Sequence, residues 1–152
     1  MIFQQISRSD ADRFFSICKN GEASRLVPGT PVCFDFNTDA NGNTVILPLD
    51  SHLRMFAGIV GNTIGTSGQP DQYGKVQVYG YAPTIYVGTS TVTPGAILMA
   101  VSGATFLKLG LTHAASTTET PTEAYCYVIA GTTYNAGTNN APGAIRGIIR
   151  AM

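Results

Sequence analysis

Charged side chains are scarce in this sequence. Asp, Glu, Lys and Arg make up 12% of its residues, about half of the ~25% that is usual in soluble domains. The nine basic and nine acidic residues cancel, and the cations do not cluster. Binding to nucleic acid or to an anionic membrane surface depends on clustered Lys and Arg. We therefore expect neither partner, whereas a near-neutral surface with little mutual repulsion favours assembly.

Long apolar runs and paired cysteines are also missing. No stretch reaches the ~20 apolar residues of a membrane-spanning helix, and residues 1–8 lack the charged start and apolar run of a signal peptide. These absences predict synthesis in a cytoplasm. Cys18, Cys33 and Cys126 lie far apart without a CxxC pair, so zinc or redox chemistry is not indicated. Because a cytoplasm keeps thiols reduced, we expect three buried thiols without a disulfide.

Motifs for catalysis and for nucleotide binding are absent as well. Residues 68–75 come nearest to a phosphate-binding loop, but the spacing of their glycines is one residue too long, and Val76 replaces the Ser or Thr that would bind magnesium. His52 and His113 are widely separated and have no partner at metal-ligand spacing, so we expect both to be surface or loop residues. The sequence therefore predicts no enzymatic activity, no catalytic residue, no cofactor and no metal.

Two features leave weaker alternatives open. Glu119 with Glu123, and Asp35 with Asp39, could act as carboxylate pairs across a cleft, although acids in polar loops are usually solvated. Residues 37–43 alternate Asn and Asp as a calcium-binding loop does, but without the closing Glu. A polar hairpin loop has the same composition, and we favour that interpretation.

One short helix is expected over residues 10–20. Ser9 can cap its start, Asp10 and Asp12 suit its first turn, and Asn20 followed by Gly21 can end it. Its apolar residues are spaced three and four apart, as on one face of a helix; they are Ala11, Phe14, Phe15 and Cys18. A short helix with two adjacent phenylalanines must dock on its own domain or on a neighbouring subunit.

From residue 28 onward the sequence changes to strand and turn patterns. Turn signals recur roughly every 8 to 15 residues, which is typical of an all-β sandwich or barrel. We expect strands at residues 31–36 and 44–49, joined through a hairpin loop, and at 75–82, 84–87, 96–101, 104–109, 123–130 and 144–152. The apolar character of Val32 and Phe34 makes Cys33 a core thiol rather than a nucleophile.

These patterns predict a fold class and a division of the chain. We expect a mainly β protein, an antiparallel β-barrel or β-sandwich with one short N-terminal helix. It should form a single domain over residues 1–152, with an arm and helix at 1–29 and the β domain at 30–152. The β domain should be complete without residues 1–21, which makes the arm the principal contact with a partner.

Aromatic residues provide the candidate interface. Tyrosines alternate along two predicted strands, a pattern typical of cross-strand packing or of a subunit interface. A stacking platform for single-stranded nucleic acid would need accompanying basic residues, which are absent. The candidate interface residues, taken from these strands and from the apolar groups of the arm, are Ile2, Phe3, Phe14, Phe15, Tyr79, Tyr81, Tyr125 and Tyr127.

The strand and turn patterns resemble a known family. GKVQVYGYAP at residues 74–83, followed by TPGAIL at 93–98, resembles small capsid decoration (cement) proteins of tailed bacteriophages, and PGTPVCFDF at 28–36 and RGIIR at 146–150 are similar in style. The resemblance implies a structural virion protein, a β-barrel or sandwich without catalytic residues. Such a protein sits on the outer capsid surface, often as a homotrimer, and bridges subunits of the major capsid protein.

Two other functions remain alternatives to capsid decoration. A carbohydrate-binding head or tail appendage of the virion would use the tyrosines and the polar loops. A small enzyme would need a pocket that joins one of the carboxylate pairs to a histidine.

Overall fold

The computed structural model describes residues 13–88, 91–110, 127–135 and 142–150. The described chain forms nine strands and one short 3-10 helix, which confirms the prediction of a mainly β protein. In chain order the elements are β1 (Arg13–Asn20), β2 (Pro31–Phe34), β3 (Thr44–Ile46), the 3-10 helix (Asp50–Met55), β4 (Phe56–Val60), β5 (Tyr73–Val87), β6 (Ile97–Ala100), β7 (Leu107–Leu109), β8 (Tyr127–Ala130) and β9 (Gly143–Arg150).

Five strands close into a barrel, and the remaining strands extend from it. The barrel order is β1-β3-β2-β4-β5, with β5 returning to β1. The long strand β5 leaves the barrel, and its second half pairs with β9 and, through Val87 and Leu107, with β7. Among the described pairings, β1–β3 and β5–β7 are parallel and the others antiparallel, so the purely antiparallel arrangement that we expected is not found.

Strands β2 and β4 separate two apolar clusters. Val32 and Val60 belong to the barrel core, whereas Cys33 and Ile59 belong to a second core that lies under β6 to β9. Since successive residues of a strand point to opposite faces, both faces of these strands are covered. This explains why all five residues of β4 are buried and why its sequence, FAGIV, does not alternate with polar residues.

The predicted helix over residues 10–20 is wrong where the structure describes it. Residues 13–20 form β1, which pairs with β5 from Arg13 to Lys19. From Phe15 to Asn20 burial follows a period of two, because Cys18 and Asn20 are buried whereas Phe15 and Ile17 are exposed. Aromatic and β-branched residues suit a pleated surface, and pairing with β5 outweighs the helical spacing of the apolar residues.

The division at residue 29 into an arm and a β domain also needs correction. Cys18 and Leu26 are both 1% exposed and belong to the barrel core. Asn20 is fully buried, and its Nδ2 donates hydrogen bonds to the carbonyl oxygens of Ser24 and Gly65, each at 2.8 Å. Residues 13–26 are therefore part of the barrel, and a β domain that lacks residues 1–21 is not complete.

Candidate functional site

Apolar side chains from five strands meet on one exposed face of the sheet. The pairing of β6 with β8 places Ile97 opposite Ile129. The pairings of β9 with β8 and with β5 place Ile148 between Ile129 and Tyr81. Directly opposed residues share a face of the sheet. In the next row Tyr79 lies between Phe14 and Arg150. We call this set, Phe14, Tyr79, Tyr81, Ile97, Ile129 and Ile148, the aromatic face.

Solvent reaches much of the aromatic face. Phe14 is 54% exposed, Ile97 49% and Ile148 47%. The rings of Phe14 and Tyr79 tilt against each other with their centroids 5.9 Å apart, and the Arg13 guanidinium lies 5.6 Å from the centroid of Tyr81. Contiguous exposed apolar groups of this kind mark interaction sites more often than scattered single ones do.

An irregularity in β5 positions the two tyrosines. The register between β1 and β5 skips Val78, and Gly80 adopts a φ of +95°, a conformation that favours glycine. The side chain of Gln77 is buried, and its Nε2 donates to the carbonyl oxygens of Tyr79 at 3.2 Å and of Tyr81 at 2.8 Å. Gln77 thereby holds the bulged backbone from which both rings project.

The structure gathers part of the predicted interface. Phe14, Tyr79 and Tyr81 lie together, but Phe15 projects from the opposite face of β1, where it opposes Gln77. Tyr127 begins β8 and pairs through its backbone with Arg150. The other predicted interface residues, Ile2, Phe3 and Tyr125, lie outside the described residues. Sequence reasoning missed Ile97, Ile129 and Ile148, because they reach the face only through cross-strand register.

A second surface feature is the hairpin loop between β2 and β3. The antiparallel pairing of these strands confirms the predicted hairpin. Asp39 accepts hydrogen bonds from the backbone N–H groups of Asn41 at 3.0 Å and Asn43 at 3.2 Å, and from the Thr44 hydroxyl at 3.1 Å. The bond from Asn41 is the main cause that lowers the pKa of Asp39, so this carboxylate is ionised and shapes the loop.

His52 ties the 3-10 helix to the same loop. It is 5% exposed, and our expectation of a surface or loop position is wrong. Its Nε2 lies 3.1 Å from the Asn37 amide nitrogen and 3.5 Å from an Asp35 carboxylate oxygen, and its Nδ1 lies 2.8 Å from Ser51 Oγ. The imidazole ring is thus enclosed by polar side chains of the loop and of the 3-10 helix. We therefore interpret His52 as a structural residue that fixes the loop against this helix.

Several other candidates can be placed. Residues 67–71 form turns and β5 begins at Tyr73, so the glycine-containing stretch 68–75 leads into a strand, whereas a phosphate-binding loop leads into a helix. Within the described ranges, no group of three or more His, Cys, Asp or Glu could hold a metal ion. His113, Glu119, Glu123 and Cys126 lie outside the described residues.

The two described thiols are buried in different clusters. Cys18 lies in the barrel core and Cys33 in the second core, and they are not joined to each other by a disulfide. Burial raises the pKa of the Cys18 thiol. Since the thiolate is the reactive form, both burial and the raised pKa slow its reaction with electrophiles at neutral pH.

We therefore expect Cys18 to be protected in the folded protein. Iodoacetamide at pH 8 should modify it roughly 100-fold more slowly in buffer than in concentrated urea, because the folded state lowers both access and the thiolate fraction. Peptide mass spectrometry over a time course measures the two rates. Equal rates would show that β1 opens freely and would contradict its place in the barrel.

Comparison of the chain with family models, with curated proteins and with solved structures found no match in any of the three. In the part of the chain that the structure describes, no helix combines the length and the apolar character needed to cross a membrane.

Proposed function

We propose that this protein is a non-enzymatic structural component of a tailed-phage virion. In this proposal it binds the outer surface of the capsid as a homotrimer and bridges subunits of the major capsid protein. The observation that supports a binding role is the aromatic face, which exposes Phe14 beside Tyr79 and Ile148 beside Tyr81.

The composition of the aromatic face suits a protein partner. Aromatic residues are enriched at the cores of protein interfaces, and each buries about 150–250 Å² when it is covered. Positive charge accompanies the face, since Arg150 lies opposite Tyr79 and Arg13 lies beside Tyr81. A rigid face of this type can dock without the entropic cost of ordering a loop.

The strand pairing restricts how a partner can bind. Every described strand has a neighbour on each side, although β7 meets β5 only through Val87 and Leu107. Little of the described sheet edge is therefore open to an added partner strand, which favours contact through side chains on a face of the sheet. This supports docking of a preformed surface, as on an assembled shell, over the pairing of an extended peptide.

We choose the capsid as the partner because residues 74–83 and 93–98 resemble capsid decoration proteins. Residues 74–83 lie within β5, the strand that contains Tyr79 and Tyr81 and that joins the barrel to the extra strands. The segment with the family-like pattern is therefore also the centre of the aromatic face. The trimer follows from the same resemblance and forms part of the proposal.

Substitution of both Phe14 and Tyr79 by Ser should abolish capsid binding and leave the fold intact. Exposed cross-strand pairs contribute only about 0.2–1 kcal/mol to stability, whereas central aromatic residues of an interface cost about 2 kcal/mol or more each when truncated. Binding is measured by co-sedimentation with capsids of the encoding phage that were assembled without this protein. Circular dichroism checks the fold of the variant.

Phe15→Ser is the matched control, because Phe15 neighbours Phe14 in sequence but lies on the opposite face of β1. We expect this variant to bind capsids as the unchanged protein does. Equal loss of binding in both variants would remove the aromatic face from the proposal. Absence of the protein from purified virions, tested by mass spectrometry, would overturn the proposed function itself.

A further inference from the structure

A polar cleft lies beside the hairpin loop. It has a volume of about 630 Å³, within the ~300–1,000 Å³ range of ligand pockets. One wall is the outer surface of β1 and the start of β5, with Lys19 and Tyr73 opposite each other in register. The other wall is the loop from Asp35 to Thr44. We call this feature the hairpin cleft.

The loop wall of the hairpin cleft is held in shape by its own hydrogen bonds. Asp39 binds the two backbone N–H groups and the hydroxyl described above. Asp35 accepts from the backbone N–H of Asn37 and from the Thr38 hydroxyl. Backbone that is already ordered loses little entropy when a ligand binds, so the loop is preorganised as a recognition surface.

Other polar groups of the cleft are exposed and available. Asn41, Asn43 and Ser67 line it, and their side chains make no hydrogen bond to another described residue. Each amide offers two donors and an acceptor, and the hydroxyl offers both roles. Tyr73 adds an aromatic ring that is 56% exposed.

We infer that the hairpin cleft binds a neutral saccharide. Each hydroxyl group of a sugar both donates and accepts hydrogen bonds. Amide and hydroxyl side chains also do both, so they match a sugar better than side chains that only donate or only accept. The C–H groups on one side of a sugar ring carry partial positive charge, and the negative face of the Tyr73 ring attracts them. Asp35 and Asp39 outnumber Lys19 in the cleft, which disfavours anionic sugars such as sialic acid.

This inference does not depend on capsid binding. Phe14 and Lys19 are five residues apart on β1, which corresponds to roughly 17 Å along a strand. A ligand in the hairpin cleft therefore leaves the aromatic face open, and each site can be lost without the other. A protein that is bound to a partner through the aromatic face would therefore still expose the hairpin cleft to a sugar.

Saturation-transfer NMR of the full chain tests the inference. Maltose, lactose, cellobiose and chitobiose serve as neutral probes at about 10 mM, which exceeds the Kd of even a weak ~1 mM ligand, and sialyllactose serves as the anionic probe. We expect at least one neutral disaccharide to receive saturation and sialyllactose to receive none. Tyr73→Ala should weaken binding at least tenfold, and Asn43→Ala should also weaken it.

Tyr79→Ala is the matched control, because it removes a tyrosine of the same strand from the aromatic face and should leave saccharide binding unchanged. Transfer to none of the neutral probes would overturn the inference, as would binding that persists in Tyr73→Ala. Equal binding of sialyllactose would contradict the charge argument that selects a neutral ligand. Tyr73→Ala should still co-sediment with capsids as the unchanged protein does. This measurement distinguishes a failure of the saccharide inference from a failure of the proposed capsid binding.

Discussion

Deletion of residues 1–20 is expected to prevent folding of the barrel. The deletion removes β1, which pairs with β5 over seven residue pairs and with β3 over two. It also removes Cys18 and Asn20 from the interior. The facing groups of β3 and β5 would lose their partners, and a buried polar group without a partner costs about 1–3 kcal/mol.

Several such losses exceed the stability of an ordinary domain, which is about 5–15 kcal/mol in total. We therefore expect the shortened protein to lack a cooperative unfolding transition in urea and to elute as aggregates on gel filtration. Deletion of residues 1–12 is the matched control, since it retains all of β1, and it should keep the transition. A folded, monodisperse protein without residues 1–20 would show that the barrel closes without β1.

The contrast between β1 and the hairpin shows what the sequence can predict. Residues 31–46 combine strand-forming residues with a polar loop, and local signals are enough to define a hairpin because its two strands are adjacent in the chain. The apolar residues of β1 fit the spacing of a helix and the alternation of a strand almost equally well; they include Phe14, Phe15 and Cys18. Only the pairing with β5, about sixty residues away, decides between them, and no local pattern contains that information.

The candidate site shows the same limit. Alternation along β5 was enough to predict that Tyr79 and Tyr81 share a face. The isoleucines of the aromatic face come from β6, β8 and β9, and they meet the tyrosines through register. The bulge at Val78 and the two hydrogen bonds from Gln77 are likewise products of tertiary packing. Sequence reasoning therefore identified the strand at the centre of the face but could not identify its neighbours.

Gly58→Ala should strongly destabilise the protein. Gly58 lies in the middle of β4 with a φ of +144°, a conformation that L-residues rarely adopt. An added Cβ would overlap the carbonyl oxygen of Gln77 and lie 2.9 Å from its carbonyl carbon. Neither backbone can move away easily, because β4 is covered by a core on each face.

We expect Gly58→Ala to lower the free energy of unfolding by more than about 4 kcal/mol, a loss that is exceptional for one substitution. Gly68→Ala is the matched control. Gly68 has a φ of +81° but nothing within 4 Å of an added Cβ, so this change measures backbone strain alone, about 1–2 kcal/mol. Urea unfolding followed by tyrosine fluorescence compares the two variants, since the chain has seven Tyr and no Trp.

The close approach at Gly58 also bears on the aromatic face. Gln77, whose backbone meets Gly58, is the residue whose side chain holds the carbonyl groups of Tyr79 and Tyr81. If any Gly58→Ala protein folds, displacement of Gln77 should weaken the proposed capsid binding more than Gly68→Ala does. Similar small losses of stability in both variants, with unchanged capsid binding, would mean that β4 and β5 can separate without cost, and would contradict the role assigned to this contact.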